Sequence, residues 1–131
     1  MKYLKKIFRS PESRIPKSVK NGFLKHFPNA TNIVWCKYPN LYEAMFYDEE
    51  IEKITRFDKS GKLLECRVNS SFSEIPSFVK ANIDPGYEIM SSIVVYASDM
   101  MNYELIVRDS ELIRYSLIMD SLGNEIKLER L

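Results

Sequence analysis

The sequence has few of the residues that most enzyme and metal sites require. Its 131 residues include one histidine, two cysteines and four glycines. A two-histidine metal site cannot form within one chain, and His26 is the only imidazole that could activate a serine nucleophile. No Gly-x-Ser-x-Gly motif is present, and the scarcity of glycine leaves no loop that could cradle a phosphate. We therefore expect no enzyme activity, no catalytic residues, no cofactor and no metal site.

The charge balance and the absence of a long apolar run exclude two further classes. Lysine and arginine total 19 against 18 acidic residues, a net charge of +1, whereas a nucleic-acid-binding domain normally carries a clear basic excess. No apolar run approaches the roughly 18 residues of a membrane span. We expect neither nucleic-acid binding nor membrane insertion. The 45% apolar and 28% charged residues are typical of a globular protein.

Residues 1–14 are basic but lack the apolar stretch of a signal peptide. Arg9, Pro11, Glu12 and Arg14 interrupt the segment in which that stretch would lie. We predict a frayed basic lead-in. The chain then either stays where it is made or has lost an export signal.

A helix is predicted after the lead-in. Ile15, Val19, Phe23 and Phe27 recur every four residues and would form one helix face. Pro16 suits the first helical turn, where its missing N–H is not needed.

Four short segments rich in β-branched and aromatic residues follow the helix. They read TNIVWCKY, LYEAMFYD, IEKITRF and KLLECRV, and turn residues separate them. Such short connections favour antiparallel hairpins, because a parallel crossover needs a dozen or more residues.

The second half repeats this pattern at an offset of 60 to 62 residues. Ten positions match in the first copy: Ile15, Pro16, Val19, Lys20, Tyr42, Glu43, Asp48, Ile51, Asp58 and Gly61. Their counterparts are Ile75, Pro76, Val79, Lys80, Tyr103, Glu104, Asp109, Ile113, Asp120 and Gly123. The predicted fold class is α+β, with tandem repeats at 15–69 and 75–131. Each repeat is a helix followed by a four-stranded antiparallel meander, and the sheets can join into one longer sheet within one structural unit.

The motifs of the first copy resemble a known family. The order IP-x-x-V-K, FPNATNIVW, YEAMF and FDKSGKLLE is similar to the PepSY-like proteins of Bacteroidetes. The fold of that family is similar to that of the β-lactamase inhibitory protein. The second copy matches in part, since Val95 stands where the first copy has Trp35. The resemblance implies a non-enzymatic binding or inhibitory module in the periplasm or otherwise exported. No signal peptide is visible here, so the cytoplasm is the alternative location.

Strand parity divides the side chains between a core face and a face turned away from the helices. We predict Trp35 as a core anchor, and the remaining core positions are Ile33, Tyr42, Ala44, Phe46, Ile93, Val95, Tyr103, Leu105, Val107, Ile113, Tyr115, Leu117 and Met119. Apolar, tyrosine and arginine side chains on the other face are typical of interfaces. The predicted binding surface comprises Met45, Tyr47, Ile54, Arg56, Val94, Tyr96, Ile106, Arg108, Arg114 and Ile118.

The two cysteines are predicted not to bond to each other. Cys36 follows Trp35 and should lie on the opposite face, whereas Cys66 shares its parity with Leu64 and should lie on the core side. A disulfide needs Cα atoms within about 7 Å and converging Cβ vectors.

Two functions remain open at this point. The first is a protein-binding or inhibitor-like module acting through a sheet surface on an unidentified protein, or by self-association. The second is a periplasmic sensor of a small ligand or calcium that uses the acidic loops. Asp58 and Asp120 begin turns that resemble calcium loops, but each offers one carboxylate where calcium takes six to eight oxygens. We interpret them as tight hairpin turns.

Overall fold

The computed structural model describes residues 10–131, and part of the predicted lead-in, residues 1–9, lies outside them. The helices are α1 (Lys17–His26) and α2 (Ser77–Lys80), each preceded by one 3₁₀ turn, Glu12–Arg14 and Phe72–Glu74. The first four strands are β1 (Thr31–Lys37), β2 (Tyr42–Asp48), β3 (Ile51–Phe57) and β4 (Leu63–Ser70). The others are β5 (Glu88–Ala97), β6 (Met100–Arg108), β7 (Arg114–Asp120) and β8 (Glu125–Arg130).

The predicted α+β class with two helix-plus-sheet repeats is wrong. All eight strands belong to one antiparallel sheet in the order β1 to β8, and the two helices have only 10 and 4 residues. The protein is therefore mostly β. The second helix is short because the segment soon reaches Pro85 and Gly86, which favour a turn.

Contacts divide the chain into two compact units, one ending at Cys66 and the other beginning at Arg67. In the first unit, Val19 and Phe23 of α1 pack against the sheet. The ring of Phe23 lies 5.2 Å from that of Trp35 and 4.9 Å from that of Phe46, both edge-on, an arrangement that aromatic pairs prefer. Trp35 is 5% exposed, which confirms it as a core anchor.

The core of the second unit has aliphatic residues where the first has aromatic rings. Val79 of α2 and Ile83 pack with Leu105, Val107 and Met119. The two predicted core faces are thus confirmed for most of β2, β6 and β7.

Three predicted core residues lie elsewhere. Ile33 is 37% exposed, because the β1–β2 register shifts between Thr31 and Val34. Ile93 and Val95 belong to the face opposite the core, since their register partners on β6 are not core residues.

Each helix contacts the turn between the last two strands of its unit at very short range. A Cβ at Gly22 of α1 would lie 2.1 Å from the carbonyl oxygen of Gly61, which itself has φ +89°. In the second unit the Asn82 amide donates a hydrogen bond to the carbonyl of Gly123 at 2.8 Å, and Gly123 has φ +86°. Gly22 therefore permits a close approach of helix and turn, although glycine weakens a helix.

Gly22→Ala is expected to destabilise the protein. Alanine improves helix propensity by about 1 kcal/mol, but its methyl group would meet a backbone carbonyl that cannot rotate away. We expect a net loss of about 1–3 kcal/mol, the usual range for overpacking. Urea unfolding followed by circular dichroism measures it. Lys25→Ala at an exposed position of the same helix is the control and should change stability by less than about 0.5 kcal/mol. A stabilised Gly22→Ala variant would contradict the close approach.

Candidate functional site

The register of β5 to β8 assigns each side chain of the second unit to one of two faces. Tyr103, Leu105 and Val107 of β6 belong to the core, so Glu104 and Ile106 between them lie on the opposite side. We call that side the outer face, and use the same name in the first unit for the side opposite its core.

The outer face of the second unit alternates isoleucines with charged and small polar residues. One cross-strand row consists of Ile93, Glu104, Ile118 and Lys127. The next row consists of Ser91, Ile106, Ser116 and Glu129. The three isoleucines are only partly buried, and α2 packs on the other face of this unit, in its core. A sheet face exposed to water would carry polar residues at such positions.

Arginines surround these isoleucines. Arg67 of β4 donates to the Glu104 carboxylate at 2.8 Å, and Arg108 donates to Glu88 from Nε at 3.2 Å. Arg108 also lies directly across from the exposed Arg114. Like charges in directly opposed positions repel each other, so this corner of the outer face is suited to accept a negative group.

The structure places four predicted surface residues together on this face and two on the other. Ile106, Arg108, Arg114 and Ile118 share the outer face. Val94 instead packs against the second core, and Tyr96 has the same parity as Val94.

The physical reason for this correction is the alignment of the two copies. Trp35 lies across from Ala44, whereas Leu105, the counterpart of Ala44, lies across from Ser92 and not from Val95. The displacement is three residues, and an odd displacement exchanges the two faces of a strand. Sequence parity therefore assigned Val94 and Tyr96 to the wrong face, and missed Ile93 and Val95 as outer-face residues.

The outer face of the first unit is more enclosed. Met45, Tyr47, Ile54 and Arg56 lie on it as predicted from parity, but Ile54 is only 3% exposed. Tyr47 is the most accessible of them at 42%.

An ion pair with a buried carboxylate lies on this enclosed face. Arg56 donates from Nε to the Glu43 carboxylate at 3.0 Å, and the Glu43 side chain is 7% exposed. Burial, followed by the negative charge of Glu43, raises the pKa of Tyr38 beside them. The pair satisfies a buried carboxylate, so its first effect is structural.

Two cross-strand Glu–Arg pairs of different burial provide a stability test. Arg56→Ala leaves Glu43 buried without its partner, and we expect a loss of about 2–4 kcal/mol. Arg108→Ala is the matched control, because its partner Glu88 is 61% exposed, and such a pair contributes at most about 1 kcal/mol. Urea unfolding of both variants gives the comparison, and equal losses would contradict the difference in burial.

The aspartates of the hairpin turns are occupied by protein donors. The Asp58 carboxylate accepts from the backbone N–H groups of Ser60 and Lys62 at 2.9 and 3.0 Å. Asp109 and Asp120 accept in the same way from the residues two and four positions later. These bonds confirm that Asp58 and Asp120 are turn residues.

The acidic run at 48–50 also fails to assemble a metal site. Asp48 forms an ion pair with Lys53 at 2.9 Å. Within residues 10–131, no group of three or more His, Cys, Asp or Glu residues is arranged to hold a metal ion.

The turn carboxylates should make stability depend on acid pH. The N–H donor of Ile113, together with the hydroxyl of Tyr115, lowers the pKa of Asp109. Its stabilising contribution is therefore present above the ordinary value of 3.8 and is lost as the pH falls through the lowered value.

We expect Asp109→Ala to melt below the wild type at pH 7, and the difference to shrink as the pH falls below the ordinary value. Thermal melts followed by circular dichroism between pH 2 and 7 measure this. Asp99→Ala, at an exposed aspartate, is the control and should follow the wild type throughout. A constant difference for Asp109→Ala would contradict the assigned bonds.

Sequence reasoning missed an open cavity of about 360 Å³ in the second unit. Phe72, Lys80, Ile83 and Tyr87 help to line it, and the Lys80 ammonium lies 4.2 Å from the centre of the Phe72 ring. No short motif marks it, because its walls come from separate turns. This lining contains no paired nucleophile and base, and it indicates no reaction.

The cysteines lie on opposite faces and are not bonded to each other, as predicted. Cys36 is across from Glu43 on the outer face, whereas Cys66 packs against the first core. Burial raises the pKa of the Cys66 thiol. In the described range, neither helix has the length and apolar character to cross a bilayer.

Comparison with known proteins shows the fold. The sequence matches no protein-family profile and no curated protein. Three solved structures from Bacteroides species are similar in fold. A DUF2874 family protein from Bacteroides uniformis has a TM-score of 0.80 at 17% identity, with 88% of each chain covered. A protein from Bacteroides eggerthii, assigned provisionally to the periplasm, has a TM-score of 0.80 at 16% identity and the same coverage.

The third structure is a BLIP-like protein from Bacteroides fragilis. It has a TM-score of 0.77 at 16% identity, covering 88% of this chain and 86% of that one. These likenesses confirm the expected resemblance to a BLIP-like fold. They do not show membership of the PepSY-like family, and at such identities they concern the fold alone.

Proposed function

We propose that the chain is a non-enzymatic protein-binding module, and that the outer face of the second unit contacts the partner. The proposal rests mainly on three partly buried isoleucines on the side of the sheet opposite the core, Ile93, Ile106 and Ile118. Apolar centres with arginine around them are typical of protein interfaces, and accessible apolar patches frequently mark binding sites.

The charges on this face indicate the chemistry of the partner. Glu104 and Glu88 already have arginine partners, whereas Arg114 is exposed opposite a second arginine. A carboxylate of the partner placed between Arg108 and Arg114 would relieve their repulsion and select for an acidic surface.

The observations on the acidic turns support binding by the sheet rather than by the loops. A calcium sensor needs several convergent oxygens, but Asp58, Asp109 and Asp120 each bind backbone N–H groups of their own turn. The similarity to a BLIP-like protein supports the same choice.

An exported location is part of the proposal. It is supported by the similarity to the Bacteroides eggerthii protein, which is provisionally periplasmic. The envelope fraction of the source organism is accordingly where we expect the partner.

Site-specific photo-crosslinking tests the binding face. A benzoylphenylalanine replaces Ser116 on the outer face, or Tyr96 on the core side, in two otherwise identical chains. We expect illumination in the envelope extract to join a second protein to the Ser116 variant, while the Tyr96 variant gives no such product. Ile118→Asp should abolish the product from position 116, and Tyr96→Asp should leave it unchanged.

Thermal melts must show that these variants remain folded. Equal crosslinking from both faces would contradict the proposal. A product containing only a second copy of this chain would contradict a heterologous partner.

A further inference from the structure

The last strand of the sheet, β8, is exposed along its whole length. All six residues of Glu125–Arg130 are exposed, including Ile126 at 54% and Leu128 at 39%. Within the described part of the chain, β8 has β7 as its only neighbouring strand. Its other edge therefore presents backbone hydrogen-bonding groups that a further strand can use.

The backbone bonds show which residues face that open edge. The N–H of Leu131 donates to the carbonyl of Arg114 on β7 at 3.0 Å. Because the bonding direction alternates along an antiparallel strand, Glu129 and Lys127 also face β7. The backbone groups of Leu128 and Arg130 then point toward the open edge.

The charges of β8 are self-complementary. Lys127 and Glu129 lie on the same face, paired at 3.1 Å, with side chains 58% and 61% exposed. If two β8 strands lie antiparallel with Leu128 at the centre, Lys127 of each copy is opposite Glu129 of the other. Such non-hydrogen-bonded positions bring side chains closest across a ladder.

We propose that β8 pairs with β8 of a second copy, antiparallel and centred on Leu128, and that this edge forms a homodimer. Leu128 meets its own counterpart on the core face, and the two Lys127–Glu129 pairs lie on the outer face, one on either side of it along the strands. The pairing does not rest on the binding partner proposed above, because its backbone bonds use the strand edge, although Lys127 and Glu129 also lie at the end of the outer-face rows.

The dimer is a weak one. Two six-residue strands cover much less than the roughly 1,200 Å² that stable interfaces bury. We therefore expect a dissociation constant of about 1 mM. Association should be detectable only in a concentration series that extends to that value.

Two charge reversals test the register. In Lys127→Glu both positions become acidic, and in Glu129→Lys both become basic, so each variant alone opposes like charges across the pair. We expect each to raise the dimer dissociation constant by about tenfold or more. An equimolar mixture of the two should associate at least as well as the wild type, because every cross-strand position is then opposite in charge. The double reversal Lys127→Glu with Glu129→Lys should also recover the wild-type constant.

Sedimentation velocity measures these constants, and hydrogen exchange at the Leu128 amide supplies a second readout. That amide should become protected as the wild-type concentration rises, while the single variants keep it exchanging. Circular dichroism must show native melts for each variant. A wild type that is monomeric at the highest concentration would overturn the proposal. If the wild type dimerises but the mixture of the two variants does not recover association, the interface lies on another surface and the proposal is also overturned.

Discussion

The contact between each helix and a hairpin turn determines which side of the sheet is free. In the first unit, Gly22 lets α1 approach the backbone of Gly61, and the Ser18 hydroxyl donates to the Lys59 carbonyl at 2.8 Å in the same turn. In the second unit, Asn82 makes the corresponding contact with Gly123 through its side chain. Each helix is thereby held on the core face of its own unit. Neither helix covers the outer face of the unit to which it belongs.

Several carboxylates of residues 10–131 are held in place by hydrogen bonds and ion pairs. The turn aspartates accept backbone N–H groups, Asp48 pairs with Lys53, and Glu43 is buried against Arg56. A general base or nucleophile must be able to exchange partners during a reaction, whereas these carboxylates are held in fixed arrangements that stabilise turns and strand pairs. The first role of these carboxylates is therefore structural.

The sequence predicted local structure better than it predicted the sheet. The apolar spacing of Val19 and Phe23 indicated the helix, and Asp58 with Gly61 indicated a turn, because each depends on neighbours in the chain. All eight strands pair in chain order, but β4 and β5 are separated by the segment 71–87 with its 3₁₀ turn and short helix. Parity and turn residues carry no information that joins two strands across such a segment. The face of Val94 was predicted wrongly for a related reason. Nothing in the sequence shows that Ser92, rather than Val95, takes the place of Trp35 across from β6, and this odd displacement exchanges the two faces of β5.

A comparison of two similar dipeptides explains why the two outer faces differ. Glu43 and Glu104 each come directly after a buried tyrosine and lie on an outer face. The arginine of Glu43 comes from β3, the next strand in its register, and the pair lies beside the buried Ile54. Glu104 instead lies directly across from Ile118 of β7. Its arginine partner, Arg67, comes from β4. Because the register position beside Glu104 is filled by an isoleucine, apolar surface stays accessible between charges that are already neutralised. If the proposed partner binds this face, covering isoleucine would therefore supply most of the free energy, while Arg108 and Arg114 would discriminate among partners by charge.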